Sequence, residues 1–378
     1  MKEQMSNKIK RFIKTIFSWV YSFFSLFPVK ERQVLFASDR RNDLSGNFKF
    51  IYNEMIRQEK NLNCKFVLAK NRNSIFRLLK LAYLCARSKI IIIDDYFPYV
   101  YPIKLRQETE LIQVWHAVGA FKRFGFSLAD VGGSPNLDPL MHRNYTKAIV
   151  SSKKISHFYA EAFQMDRDQI IATGIPRTDI FFDEVYKREK KQELYHKYPF
   201  LKEKKVILFA PTFRGKGKNS AYYPNEYIDF KGWYESLKDD YIFLIKWHPY
   251  IKGKINIPEK YRSFYYDFSF FEEINDLLFI ADLLITDYSS VCFEFALLRK
   301  PMLFYAVDVE DYTHSRDFYY EYENFIPGPL VKNSNELIQF IKTQNFDIEV
   351  IDQFIERFYD HTDGQSSKRF VNELIKSK

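Results

Sequence analysis

Two histidines in this chain each close an apolar run, His116 in LIQVWHAVGAFKRFG and His248 in YIFLIKWHPY. An imidazole titrates near neutral pH, so at a strand end it can take a proton from a hydroxyl or give one to an anion. It can equally do no more than hydrogen-bond its own loop. Gly119 and Gly125 permit a close turn after His116, with Lys122 and Arg123 nearby. Lys246 stands two residues before His248, and strand alternation turns both to one side, a pair suited to a charged oxygen. A third corner, VILFAPTFRGKGK, stops at Pro211 and presents Thr212 and Arg214, a hydroxyl and a guanidinium that suit phosphate oxygens. The glycine, lysine and serine spacing of a P-loop is absent, and a flexible basic loop is the plainer alternative.

A fourth corner, LLITDYSSVCFEFALLRKPMLFY, passes from an apolar strand to a helix pattern through Ser289 and Ser290. A helix starting there has unpaired N–H groups and a positive dipole end, which the serines can cap or a phosphate can occupy. Glu294, one turn later, suits a ribose diol. Beside Arg214 and His248 these residues describe a site for a diphosphate and a ribose, and a nucleotide is the economical ligand. Arg177 and Asp179, in ATGIPRTDIFF, either face a cleft or pair with each other. No His, Cys, Asp or Glu cluster has metal spacing, and Asp94-Asp95 reads as a solvated strand end. GxGxxG is absent, which argues against a dinucleotide oxidoreductase.

Short β-branched and aromatic runs alternating with helical patterns must position these corners. That alternation predicts an α/β fold with two Rossmann-like, doubly wound domains whose strand ends face a cleft. Residues 31–185 form the first domain and residues 186–345 the second, followed by C-terminal helices over 346–378 that cross back to the first. Residues 1–30 hold a basic, aromatic helix with apolar residues on one face, short of a membrane span. It either lies in a headgroup region or packs on the protein's own core. The 378 residues suit two domains, and the net charge of +9 favours an anionic partner. The positive charge is gathered in no recognition helix, so nucleic acid is not the expected partner. Three scattered cysteines fit a reducing compartment.

The pieces VWHAVGAFKRFG, TGIPRTD, ILFAPTFRG, IKWHP and TDYSSVCFEFALLRKPMLFY, in this order, resemble the CDP-glycerol glycerophosphotransferase family of wall teichoic acid synthesis. The resemblance spans roughly residues 113 to 305. It implies a GT-B-like fold, no bound catalytic metal or cofactor, and transfer of glycerol phosphate from CDP-glycerol to a polyprenyl-diphosphate-linked acceptor. Ribitol phosphate is the donor group in relatives. The resemblance makes His116 the base for the acceptor hydroxyl and sets His248 against the donor phosphates. It makes Thr212, Arg214, Ser289 and Ser290 phosphate contacts, and Glu294 the ribose ligand. It counts Asp179 with the catalytic groups. Arg316, in HSRDFYYEYENFIPGP, matches a further phosphate ligand, although Asp317 stands where glycine is usual.

The expected reaction is attack by an acceptor hydroxyl on the β-phosphorus of CDP-glycerol with CMP leaving, at the cytoplasmic membrane face, the helix of residues 1–30 resting on an anionic lipid surface. The chain's compactness favours a primase over a polymerase. Ribitol phosphate, a capsular product and a homo-oligomer stay open. A GT-B nucleotide-sugar transferase would share the serine corner and the glutamate. A non-enzymatic membrane-surface protein would need only the basic helix, and leaves the two histidines unexplained.

Overall fold

Unbroken apolar runs such as SKIIII (Ser88–Ile93) cannot keep one face in water, and they lie here in parallel strands buried on both faces. The structure, a computed structural model, describes residues 2–58, 61–69, 74–128, 137–215, 217–253, 255–315 and 318–375. It divides into two compact units, residues 1–179 with 359–378, and residues 180–358.

The first unit contains α1 (Lys2–Phe24), β1 (Lys30–Ala37), α2 (Gly46–Arg57), β2 (Asn63–Val67), α3 (Ile75–Arg87) and β3 (Ser88–Ile93). It continues through β4 (Glu110–Gln113), β5 (Lys147–Ile149), α4 (Ser156–Phe163) and β6 (Ile170–Ile171). Its sheet is parallel in the order β2-β1-β3-β4-β5-β6. The order reverses between β1 and β3, which opens the crevice where doubly wound sheets hold ligands.

The second unit begins with α5 (Glu184–Lys197) and β7 (Lys205–Phe209), then α6 (Phe230–Leu237), β8 (Tyr241–Ile245), β9 (Tyr265–Asp267), α7 (Ile274–Ile280) and β10 (Leu283–Thr286). α8 (Val291–Ala296), β11 (Met302–Tyr305), α9 (Val309–Ser315), α10 (Tyr322–Phe325), β12 (Leu330–Val331), α11 (Ser334–Thr343) and α12 (Ile348–Phe358) follow. The parallel order is β12-β11-β10-β7-β8-β9, with the reversal between β7 and β10.

The two α/β sheets match the fold expected from the sequence, and three details differ. The run LIQVWH leaves the sheet at Gln113, because Trp115 takes a left-handed φ of 46° that no strand can hold. The first unit ends at Asp179, six residues before the expected boundary. The C-terminal region is split, α12 lying in the second unit and the last helix (Ser366–Leu374) packing on α2 in the first.

α1 gives part of its surface to the core. Phe17 and Tyr21 are buried, Phe17 meets Tyr99 at 5.3 Å between ring centres, and Phe24 meets Tyr83 of α3 at 5.0 Å. Phe12, Trp19 and Phe23 are 58–71% exposed, and Phe76 of α3 is 80% exposed. Among the described residues no helix is long and apolar enough to cross a membrane.

Candidate functional site

In the second unit, Pro211 ends the β7 run and Asp287 leaves β10 on the opposite side of the switch point. Asp287 is fully buried and acts as a strap. Its Oδ1 accepts from the Thr212 N–H at 2.7 Å and from the Tyr288 N–H, and its Oδ2 accepts from Arg214 Nη1 at 2.9 Å. A carboxylate thus stands just before the two serines. It fastens the loop after β7 to the turn after β10, holding Thr212 next to the segment that carries Ser289 and Ser290.

Arg214 is a correction to the sequence reading. Its Nε and Nη2 donate to the two oxygens of Asp308 at 2.6 and 2.8 Å, and Nη1 also donates to the Thr212 carbonyl at 2.7 Å. The guanidinium lies 4.9–5.4 Å from the rings of Tyr312, Tyr288 and Tyr223. Burial alone would depress its pKa, but Asp287 and Asp308 outweigh that and raise it, so Arg214 stays charged. Burial likewise pushes the Asp287 carboxyl up, against the pull of Arg214. Arg214 is therefore spent on two carboxylates and knits the corner instead of presenting its fork to a phosphate. Arg214 and Tyr222 also exchange backbone bonds of 2.7 and 3.1 Å. Gly215, at φ 96°, makes that turn, and a side chain there would strike the Ser220 carbonyl.

Lys246 is buried, and its Nζ donates to the Ser269 carbonyl at 2.9 Å, one bond of the three an ammonium can make, so it ties β8 to the segment after β9. Burial lowers its pKa against the opposing pull of Asp267 and Glu273. His248 is half-buried, its ring 4.7 Å from those of both Phe213 and Tyr250. Its Nδ1 accepts from the Tyr250 N–H at 3.1 Å, which leaves the proton of the neutral ring on Nε2. His248 is thereby set up as a donor, and Phe213 holds it beside Thr212.

Ser289 and Ser290 precede a short helix that starts at Val291. Ser290 takes the N-cap place without a side-chain cap bond, and Ser289 Oγ accepts only a long 3.4 Å bond from the Val291 N–H. Glu294 follows in the first turn and is buried. Arg316 lies outside the described residues.

In the first unit, His116 follows β4 at the carboxyl end of the sheet. Its Nδ1 lies 3.6 Å from Asp95 Oδ2, and its ring packs at 4.3 Å on that of Trp115. Burial lowers its pKa well below the usual histidine value. The guanidinium groups of Arg40, Arg177 and Arg41 push the same way, and the Asp94 backbone opposes them. A neutral imidazole is the form that can accept a proton. The loop after β1 is held by Ser38 Oγ, which accepts from the Arg40 and Arg41 N–H groups at 3.0 Å each.

Asp94-Asp95, read from the sequence as a solvated strand end, is nothing of the kind. Asp94 is 1% exposed and pairs with Arg41 Nε at 2.6 Å, while Asp95 meets both Arg40 and His116. Asp179 is not gathered with His116. Its two oxygens accept from the Ser366 and Ser367 N–H groups at 2.8 Å each, capping the last helix. Arg177 does reach the site, donating from Nη1 to the His116 carbonyl at 2.7 Å. Among the described residues no group of three His, Cys, Asp or Glu side chains could hold a metal ion.

Sequence reasoning missed Asn47, Gln113 and Asp308, and took Asp95 for a solvated residue. Asp95 and Asp308 carried one usable signal, an acidic residue just past the end of an apolar run. Asn47 and Gln113 carried none.

Two doubly wound parallel sheets, each with polar groups at its strand ends, define a two-sheet α/β protein. The chain belongs to the CDP-glycerol:poly(glycerophosphate) glycerophosphotransferase family, whose model matches residues 19–376. It is 52% identical over 370 residues to a teichoic acid poly(ribitol-phosphate) polymerase of Bacillus spizizenii, covering 97% of this chain and 60% of that protein. The chain thus spans about three-fifths of that relative's length. It is 37% identical to a teichoic acid ribitol-phosphate primase of the same organism, covering 99% of both chains. Among solved structures, a variant of the wall teichoic acid polymerase TagF matches with a TM-score of 0.78 at 25% identity, over 99% of this chain and 97% of that one.

Proposed function

We propose that this protein transfers an alditol phosphate from a CDP-alditol to a hydroxyl of a polyprenyl-diphosphate-linked acceptor in teichoic acid synthesis, releasing CMP. Ribitol phosphate is the preferred group, because the two relatives described above are both named for it; glycerol phosphate is the alternative. The observation that carries this reading is the Asp287 strap, which fixes Thr212 beside the Ser289-Ser290 turn at a switch point. In the proposed reaction the acceptor oxygen bonds to the β-phosphorus and the bond between that phosphorus and the bridging oxygen breaks. The electron pair leaves on CMP, and the hydroxyl proton passes to His116.

His248, through Nε2–H, and the hydroxyls of Thr212, Ser289 and Ser290 hold the charge that spreads over the phosphoryl oxygens. Glu294 accepts from the ribose. Arg214 and Lys246 keep the corner in shape. The enzyme works as a peripheral protein at the cytoplasmic face of the membrane, with the exposed Phe12, Trp19 and Phe23 of α1 resting among lipid headgroups.

Incubation with CDP-ribitol or CDP-glycerol and synthetic lipid-linked acceptors tests this, with product mass and CMP release as the readings. Acceptor mass growing in ribitol phosphate steps is the expected result, and the number of steps separates a primase from a polymerase. Growth with CDP-glycerol alone reverses the donor preference. Turnover of a nucleotide sugar with neither CDP-alditol used would overturn the proposal.

A further inference from the structure

Resting on the reading of His116 as the base, we propose that Asp95 is its positioning carboxylate, holding the ring as the Nδ1–H tautomer so that Nε2 keeps the lone pair that takes the acceptor proton. Asp95 leaves β3 beside the switch point and has one oxygen already committed, Oδ1 accepting from the Tyr96 N–H at 2.7 Å. Its other oxygen, Oδ2, lies 3.6 Å from His116 Nδ1 and 3.3 Å from Arg40 Nη1. The Asp94 carboxylate is engaged by Arg41, while its backbone carbonyl is a second acceptor beside the His116 ring. An imidazole with a carboxylate at Nδ1 donates there, which fixes the basic nitrogen at the far edge of the ring. The distance is longer than a hydrogen bond, as such contacts commonly are before a substrate closes them.

The surroundings hold this pair to a set geometry. Gln113, fully buried, binds both halves. Its Nε2 donates to the Asp95 carbonyl at 3.0 Å, and its Oε1 accepts from the Trp115 N–H at 2.9 Å. Asn47, also buried, donates to the Val114 and Trp115 carbonyls at 3.0 and 3.1 Å and accepts from the Arg177 N–H at 3.1 Å. These bonds hold Trp115 at φ 46°, a left-handed conformation that costs a non-glycine residue about 1–2 kcal/mol. A chain that only had to end a strand here could use glycine. A strained tryptophan, over-determined by two buried amides, indicates that the direction of the next residue is being specified, and that residue is His116. The other charged groups facing the ring are Arg40, Arg41 and Arg177, which favour its neutral form whichever tautomer it takes.

The test compares Asp95→Asn, Asp95→Ala and His116→Ala in the full chain, with folding checked by circular dichroism. Asparagine can turn its amide N–H₂ to Nδ1 and stabilise the opposite, Nε2–H tautomer, which has no lone pair for the acceptor. Alanine leaves the tautomer unbiased. The expected kcat therefore falls by on the order of 10²–10³-fold in Asp95→Asn but only about tenfold in Asp95→Ala, with KM for the CDP-alditol within about twofold. A merely structural aspartate would rank the two the other way.

The ¹⁵N spectrum of His116 gives a reading independent of turnover. The proton is expected on Nδ1 in the native chain and on Nε2 in Asp95→Asn. A native ring protonated at Nε2, or an alanine variant as impaired as the asparagine one, overturns the inference. His116→Ala with undiminished kcat would instead remove the base reading beneath it, and the tautomer spectrum would still judge Asp95.

Discussion

Arg214 Nη1 lies 2.9 Å from Asp287 Oδ2, 73 residues away in sequence, and neither side chain has appreciable contact with water. A pair of this kind is costly to break from one side, because the survivor keeps its charge without its partner. Asp287→Ala should destabilise the protein by about 3–5 kcal/mol, measured by urea unfolding. Asp287→Asn keeps an acceptor for the Thr212 N–H and should cost less. Equal losses would show that the charge alone counts and that the strap to Thr212 adds nothing.

The depressed pKa of His116 predicts how activity falls in acid. The ring remains a neutral base as pH drops through 6.5, the ordinary histidine value, and is lost only at the lower folded-state pKa. A kcat profile at saturating donor should therefore have its acid limb well below pH 6.5. A limb at or above that value contradicts the electrostatics of Arg40, Arg177 and Arg41.

His142 makes a separate prediction about stability. Burial pushes its pKa down to about 3, and its Nδ1 lies 3.2 Å from the Tyr145 hydroxyl inside an aromatic cage. The unfolded chain takes up a proton near pH 6.5 while the folded chain does not. The stability from the neutral ring is therefore complete above 6.5 and lost as pH falls below it. At pH 5 the loss from this group should be about 2 kcal/mol. In His142→Asn, which suits the local φ of 63°, unfolding should depend less on pH between 7 and 5 by that amount.

Asp179 should matter through folding. Asp179→Ala removes two bonds to the N-terminus of the last helix, at a cost of about 1–3 kcal/mol. Limited proteolysis should then cut in residues 359–375 well before the rest of the chain. A variant that resists cleavage like the native protein yet loses turnover would return Asp179 to the catalytic groups.

The exposed rings of α1 predict a lipid effect without a donor effect. Changing Phe12, Trp19 and Phe23 together to serine should weaken binding to anionic vesicles by about tenfold or more, because the apolar area offered to the interface is lost. CDP-alditol affinity should not change. Unaltered vesicle binding would assign those rings to some other contact.

The parallel strands were legible because strands buried on both faces are written as uninterrupted β-branched and aromatic runs, as in β3 and β8. β12, two residues long, carries no such signature. The corners were legible for the same reason, polar residues standing out where apolar runs stop. The partner of each polar group was not. Arg214 looks like a phosphate ligand until Asp308, 94 residues on, is seen to occupy its fork. Lys246 looks like a clamp for a ligand, yet one of its three donors is already given to the Ser269 carbonyl. Residue type declares charge, whereas only the folded path decides whether that charge is already used. Asn47 and Gln113 were invisible for a related reason, since an amide in a helix or a strand has no pattern until two distant carbonyls converge on it.

The contact between the Trp115 and His116 rings, 4.3 Å between centres, also provides an intrinsic optical reporter. An indole is quenched when an adjacent imidazole becomes cationic, and the chain has only four tryptophans. Emission followed through an acid titration, with Trp115→Phe as the blank, would register the charging of His116 in unlabelled protein, with no substrate present.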